Sequence, residues 1–131
     1  MVKTRRLKPA PNNNNDTELL VQAAIKGIQE KKGQGITTLN LRKLGSEVAD
    51  YFVVCHGESR PQMEAIVKSI EDNIYRKLNE EPRHIEGYEN AEWILLDYFD
   101  VVVHVFLKEK RLFYGIERLW ADAEEKKLAG S

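Results

Sequence analysis

Two carboxylates, Asp97 and Asp100, lie between two apolar runs at 93–96 and 101–106, and residues of this type raise the question of metal chemistry. Carboxylate oxygens are the ligands that Mg²⁺ prefers, as in a metal-dependent nucleotidyltransferase. Ligands on one strand need even spacing to share a face, whereas these two residues are three apart. They lie on different faces unless a turn intervenes, so we interpret them as solvated turn residues and predict no metal site.

The same segment carries aromatic side chains that favour binding to another macromolecule. Tryptophan and tyrosine are enriched among the residues that dominate protein interfaces. Trp93 and Asp97 share strand parity, so they point the same way if the strand is regular. Tyr98 and Phe99 follow, and two adjacent aromatic residues are difficult to bury at a turn. Binding is therefore favoured over a core position for this pair, while Trp93 fits either role.

The remaining residues with catalytic potential are scattered. The three histidines are not spaced as zinc ligands, and adjacent strand residues such as Cys55 and His56 point to opposite faces. His104 is predicted to be a hydrogen-bonded core residue, with Asp97 or Asp100 as its candidate partner across the hairpin. Cys55 is predicted to be inert core. The pattern favours a protein that is not an enzyme, with no cofactor and no small-molecule substrate.

Composition is that of an ordinary globular chain with one domain. The 131 residues are 42% hydrophobic and 31% charged, with a formal net charge of −1, which favours neither nucleic acid nor an anionic membrane. No apolar run is long enough to span a bilayer. Residues 1–15 are predicted to be a disordered basic tail, 16–128 the folded domain and 129–131 a disordered end. The single cysteine fits a reducing, cytoplasmic location.

Hydrophobic periodicity predicts the element order α-β-β-α-β-β-β-α. Asn15 or Asp16 is expected to cap the first helix, and Ser59 with Gln62 forms a capping-box pattern before the second. The hairpin at 93–106 supplies two strands, and a last helix is expected over 110–127. We predict an α/β fold with a single mixed sheet of about five strands flanked by helices. If most helices pack on one face, part of the other face is left open as an apolar patch, which usually marks a protein interface.

Six motifs follow one another along the chain, and they are listed here in order: Ala49-Asp50-Tyr-Phe-Val-Val-Cys55, Gly57-x-Ser59, Glu86-Gly87, Trp93-Ile-Leu-Leu-Asp-Tyr98, Asp100-Val-Val-Val-His104-Val-Phe106 and Phe113-Tyr-x-x-Glu-Arg-Leu-Trp120. Together they resemble the ribosomal silencing factor family, also called Iojap-like, over about residues 17–122. The resemblance implies an α/β fold of nucleotidyltransferase type without the catalytic groups. It also implies binding to large-subunit ribosomal protein fourteen, where the bound factor sterically blocks subunit joining and represses translation under nutrient limitation.

Two residues depart from the family pattern. Phe99 stands where the family usually has glycine in an Asp-Tyr-Gly-Asp turn, and glycine supplies a positive φ that Phe adopts only with strain. Pro61 stands where the family usually has arginine, so no role of that arginine carries over.

The predicted contacts with the ribosomal protein lie at the hairpin: Trp93, Asp97, Tyr98, Phe99 and Asp100, with Glu86 as an outlying member. The aromatic residues are expected to bury apolar surface, and the carboxylates to pair with basic groups of the partner. Away from the large ribosomal subunit, the chain is expected to be a homodimer through the same open face. No membrane partner is expected. The alternative function is a metal-dependent nucleotidyltransferase that uses Asp97 and Asp100.

Overall fold

The computed structural model describes residues 14–45 and 47–128, with side chains from residue 16 onward. The elements are α1 (Asn14–Glu30), β1 (Gln34–Asn40), β2 (Tyr51–Gly57), α2 (Arg60–Leu78), β3 (His84–Glu86), β4 (Trp93–Asp97), β5 (Val101–Leu107), α3 (Lys108–Tyr114), α4 (Ile116–Leu119) and β6 (Glu124–Lys127). The predicted order is confirmed as far as β5. The tail predicted at 1–15 lies outside the described residues except for 14 and 15, which begin α1, and the predicted end at 129–131 lies outside them entirely.

The strands form one six-stranded sheet in the order β3-β4-β5-β2-β1-β6. The two central strands, β2 and β5, are parallel, and the other neighbours are antiparallel. Both central strands are almost continuously buried, because each of their faces is covered. The predicted α/β fold with a mixed sheet is confirmed. The sheet has six strands rather than about five, since β6 adds an edge that the sequence analysis did not foresee.

The helices α1 and α2 cover one side of the sheet, which we call the first face. The buried residues of α2 recur at helical spacing: Met63, Ile66, Val67, Ile70 and Ile74. Gly27 of α1 lies against the backbone of α2, where an added Cβ would be 2.8 Å from the Cα of Ile70. The two helices therefore pack backbone to backbone. Cys55 lies in this core, as predicted, and burial raises the pKa of its thiol to about 12, which disfavours the reactive thiolate.

The two long helices begin in different ways, and hydrogen bonds define the start of α2. The Ser59 hydroxyl accepts the Gln62 N–H at 3.2 Å, and the Gln62 side-chain oxygen accepts the Glu58 N–H at 2.7 Å. The predicted capping of α2 is confirmed, although the return bond reaches residue 58 rather than the cap itself. Helix α1 begins at Asn14, so the prediction of Asn15 or Asp16 as its cap is wrong; Asp16 lies in the first turn.

The opposite side of the sheet, which we call the second face, is covered by the segment after β5. The predicted helix over 110–127 is wrong. Gly115 adopts a left-handed φ of +63° and its N–H caps the carbonyl of Arg111, so α3 ends there and the chain changes direction. Residues 124–127 are four charged side chains that pair with β1 as an edge strand, and this charge protects the edge from further pairing.

The apolar residues of that segment divide between core and solvent. Ile116 and Ala123 pack on the second face. By contrast, Leu112, Phe113 and Leu119, which helical periodicity assigned to a single apolar side, are 77%, 72% and 79% exposed. Their apparent periodicity therefore carried no information about burial once the helix was interrupted.

Arg111 fastens α3 and α4 to the sheet. Its guanidinium donates to both carboxylate oxygens of Glu117 at 3.0 and 2.8 Å, to the Thr37 hydroxyl at 3.2 Å and to Nδ1 of His56 at 2.9 Å. Burial and the adjacent arginine lower the pKa of His56, which keeps it a neutral acceptor. A single arginine thus joins four elements.

Within the described residues, no helix is long and apolar enough to cross a bilayer.

Candidate functional site

Beyond α3 and α4, the second face carries half-buried apolar residues on β4, beside the edge strand β3. Strand register places Glu86 of β3 opposite Leu95 of β4, and Trp93 shares the parity of Leu95. Trp93 and Leu95 are half-buried, whereas the Glu86 side chain is 68% exposed. We call Glu86, Trp93 and Leu95 the β3–β4 face. Here the sheet is partly open, as was expected from the sequence; the charged edge strand β6 is exposed as well.

Trp93 is held in one orientation by its neighbours. Its ring is stacked on Phe106 with centroids 5.2 Å apart, and the Tyr114 ring is tilted against it at 4.9 Å. The indole N–H donates to Nδ1 of His104 at 3.0 Å. Tyr114 is itself fixed by a hydrogen bond from its hydroxyl to Glu92 at 3.0 Å. A rigid, partly exposed aromatic side chain loses little conformational freedom on binding, which is what an interface anchor requires.

Gly87 brings the edge strand close to this tryptophan. Its φ is +83°, and an added Cβ would collide with the carbonyl of Trp93. Only glycine meets both requirements without strain. The bend predicted at this position is therefore present, and it positions Glu86 beside β4.

The turn after β4 does not expose the residues that were expected there. Asp97, Tyr98 and Asp100 are 2%, 4% and 3% exposed. The Tyr98 N–H donates to the carbonyl of Val101 at 2.9 Å, so the hairpin closes directly and Tyr98 takes the parity that faces α1 and α2. The expectation that Tyr98 lies at the surface is wrong, because the short turn left it on a regular strand position.

Phe99 is the half-buried residue at the tip of this turn. It adopts the positive φ that its position was expected to need, +81°. The Asp100 N–H donates to the carbonyl of Tyr98 at 3.1 Å, which makes Phe99 the centre of a three-residue turn. The guanidinium carbon of Arg83 lies 4.0 Å from the centroid of the Phe99 ring. Such a φ is unfavourable for a bulky side chain, and the stacked arginine offsets part of that cost.

Both aspartates hold the turn, Asp97 through its carboxylate and Asp100 through its backbone carbonyl. Asp97 accepts the Phe99 N–H at 2.9 Å and lies 3.9 Å from Nδ1 of His84. The backbone carbonyl of Asp100 accepts the N–H groups of Asp50 and Tyr51 at 2.7 and 3.1 Å, which ties the turn to the start of β2. The interpretation as solvated turn residues is wrong, since both are buried. Within the described part of the chain, no cluster of three or more His, Cys, Asp or Glu residues is arranged to hold a metal ion.

Comparison with known proteins decides the family. A family model described as "Ribosomal silencing factor during starvation" matches residues 14–130. The chain belongs to the ribosomal silencing factor family. Ribosomal silencing factor RsfS of Halalkalibacterium halodurans is 40% identical over 111 residues, which cover 85% of this chain and 93% of that protein. The factor of Bacillus subtilis is 38% identical over 104 residues, covering 79% of this chain and 86% of that protein. The resemblance read from the motifs is confirmed, and it assigns this silencing factor a ribosome-related role in the regulation of translation.

Two solved structures share the fold of this silencing factor. A crystal structure of a protein from Bacillus halodurans has a TM-score of 0.71 and 36% identity, covering 85% of this chain and 99% of that chain. A crystal structure from Chromobacterium violaceum has a TM-score of 0.74 and 31% identity, covering 86% and 92%. The α/β architecture is therefore common to related chains.

The sequence analysis of the silencing factor missed the residues that hold Trp93. His104 was paired with Asp97 or Asp100, but its partner is the indole of Trp93. The contact between Trp93 and His104 could have been predicted, because alternation along β4 and β5 puts both residues on one side of the hairpin. Tyr114 lay within a quoted motif, but the assumption of one long helix hid its role.

Proposed function

We propose that this silencing factor binds the large ribosomal subunit through large-subunit ribosomal protein fourteen, sterically blocks joining of the small subunit and so represses translation under nutrient limitation. It acts in the cytoplasm and catalyses no reaction. The observation that carries the proposal is Trp93: a partly exposed tryptophan, fixed by Phe106, Tyr114 and His104, on a partly open part of the sheet.

The β3–β4 face has the composition of a contact surface for a basic protein. Trp93 and Leu95 supply apolar surface at its centre. Glu86 is exposed at its edge, where a carboxylate steers and orients a positively charged partner. Phe99 extends the aromatic surface at the tip of the hairpin.

The buried residues of the hairpin have a different part in this proposal. Asp97, Tyr98 and Asp100 are enclosed in the free chain, so they shape the turn rather than touch the partner. This assignment narrows the contacts predicted from sequence to Trp93, Phe99 and Glu86, and adds Leu95.

We propose further that the free protein is a homodimer through the same face. A partly open apolar face on a soluble chain is covered most simply by a second copy across a two-fold axis. Dimer and ribosome then compete for Trp93. Light scattering at high micromolar concentration is expected to show a dimer that Trp93→Ala converts to a monomer; a monomer at every concentration contradicts this part of the proposal.

The function is tested with purified ribosomal subunits on sucrose gradients. The protein is expected to sediment with free large subunits and to reduce the assembled-ribosome peak when small subunits are added in excess. Recovery of the protein in equal amounts from the assembled-ribosome peak would rule out steric blocking. A titration with Mg²⁺ and nucleotides, followed by calorimetry, tests the nucleotidyltransferase alternative, and no heat of binding is expected.

A further inference from the structure

We infer that His104 is a positioning residue for the β3–β4 face, with its ring proton on Nε2, and that it sets the orientation in which the Trp93 indole meets its partner. The inference rests on the proposed function, since it takes Trp93 to be a contact residue.

The hydrogen bond fixes the tautomer of His104. The indole nitrogen of tryptophan is a donor and never an acceptor. It lies 3.0 Å from Nδ1 of His104, so Nδ1 carries a lone pair and the ring proton of the neutral imidazole lies on Nε2. Burial lowers the pKa of His104 to about 3, and the acceptor is therefore kept throughout the pH range of a cell.

The other ring nitrogen shows that core stability does not explain this histidine. Nε2 is buried without a hydrogen-bond partner among the described residues, and the His104 residue is 2% exposed. Its nearest aromatic neighbour is Phe52, in an edge-to-face contact with centroids 4.5 Å apart. Burying a polar group without a partner is unfavourable compared with an apolar residue of similar shape. What His104 offers and leucine does not is the acceptor for Trp93.

The hydrogen bond to His104 should affect binding because it sets the orientation of the Trp93 indole. Phe106 and Tyr114 pack against the ring without a directional bond, whereas the hydrogen bond to His104 fixes the direction in which the indole N–H points. Loss of one such bond is expected to weaken binding by about threefold to tenfold.

Nuclear magnetic resonance of the free full-length protein tests the geometry. The chain has two tryptophans, so two indole N–H signals are expected. His104→Leu should shift the Trp93 signal and leave the Trp120 signal in place. His104→Asn should restore most of the shift, because the asparagine oxygen takes the place of Nδ1. A nitrogen spectrum that places the His104 proton on Nδ1, or a Trp93 signal that His104→Leu leaves unmoved, overturns the inference.

Binding to purified large ribosomal subunits tests the role. Each variant is assayed well below its own melting temperature. His104→Leu is expected to bind about threefold to tenfold more weakly, and His104→Asn to recover most of the affinity. In the Trp93→Phe background, which lacks the donor, His104→Leu should have no further effect.

The outcomes separate this inference from the proposed function. Full binding by Trp93→Ala would overturn the proposed contact, whatever the resonance spectra show. Lost binding by Trp93→Ala beside full binding by His104→Leu would overturn the positioning role and leave the proposed function standing.

Discussion

The two faces of the sheet are covered by different means. The first face is sealed by α1 and α2, whose backbones meet at Gly27 and whose buried side chains are mostly aliphatic. The second face is covered by the short helices α3 and α4, held by the hydrogen bonds of one arginine, and its core is rich in aromatic rings. Part of that face stays open at β3 and β4. Under the proposed function, the first face supplies stability and the second face supplies recognition.

Strand β4 shows the division residue by residue. Ile94 and Leu96 are fully buried on the first face, while Trp93 and Leu95 are half-buried on the second. Successive side chains of a strand point to opposite faces, so a single strand serves both tasks. A substitution in β4 is therefore expected to affect either folding or binding according to its parity.

Tyr98→Ala should give the largest effect and sharpen the contrast. Tyr98 belongs to the first-face core, so truncation is expected to lower the free energy of unfolding by about 3–5 kcal/mol. The hydroxyl has no hydrogen-bond partner among the described residues, and Tyr98→Phe should therefore be as stable as the parent or more so. Urea unfolding followed by circular dichroism measures both. A Tyr98→Ala variant that stays stable but binds the ribosome more weakly would show that Tyr98 contacts the ribosome, as the sequence had predicted.

Trp93→Ala should weaken binding to large subunits by roughly 30-fold or more, corresponding to about 2–4 kcal/mol. Asp72→Ala and Tyr75→Ala, on the exposed side of α2, serve as controls and should bind like the parent protein. Thermal melts must accompany the assay, because Trp93 also packs on Phe106. Binding loss that matches the fraction unfolded would make Trp93 a core residue and would break the contrast between the faces.

Two histidines of the second face should make the stability of the domain sensitive to acid. His104 has a folded pKa of about 3, below the usual value near 6.5, so the unfolded chain takes up a proton first as pH falls. This proton uptake has no effect above about pH 6.5, and below it the free energy of unfolding declines by up to about 1.4 kcal/mol per pH unit. The lowered pKa of His56 acts in the same direction. Urea unfolding between pH 7 and pH 5 should show this slope in the parent and a smaller slope in His104→Leu; equal slopes would contradict the assignment.

The smallest effect concerns the tip of the hairpin. Phe99→Gly relieves the positive φ but loses the stacking with Arg83, whereas Phe99→Ala loses the stacking and keeps the strain. Phe99→Gly is therefore expected to be more stable than Phe99→Ala by about 1 kcal/mol. Paired denaturation curves measure the difference. Equal stabilities would mean that the turn relaxes when the ring is removed.

Structure that depends on residues close together in the sequence was predictable, and structure that depends on residues far apart in the sequence was not. The strand Tyr51–Gly57 and the helix Arg60–Leu78 were evident from local periodicity and capping. The strand Glu124–Lys127 was not, because four charged residues form a strand only through pairing with β1. At the site, parity correctly placed Trp93, but the burial of Tyr98 depended on the closure of the turn. The contact between Trp93 and Tyr114 joins an element beyond the hairpin to the sheet, and no local pattern encodes it.

Site-specific photo-crosslinking compares the two sides of the molecule most directly. Tyr88, in the loop between β3 and β4, and Tyr75, on the outer side of α2, are 45% and 51% exposed, which makes them matched positions for a photoreactive phenylalanine analogue. Irradiated with purified large ribosomal subunits, the protein labelled at 88 is expected to crosslink to ribosomal protein fourteen, and the protein labelled at 75 to give no such product. A crosslink from 75 with none from 88 would place the contact on the helical side and contradict the account.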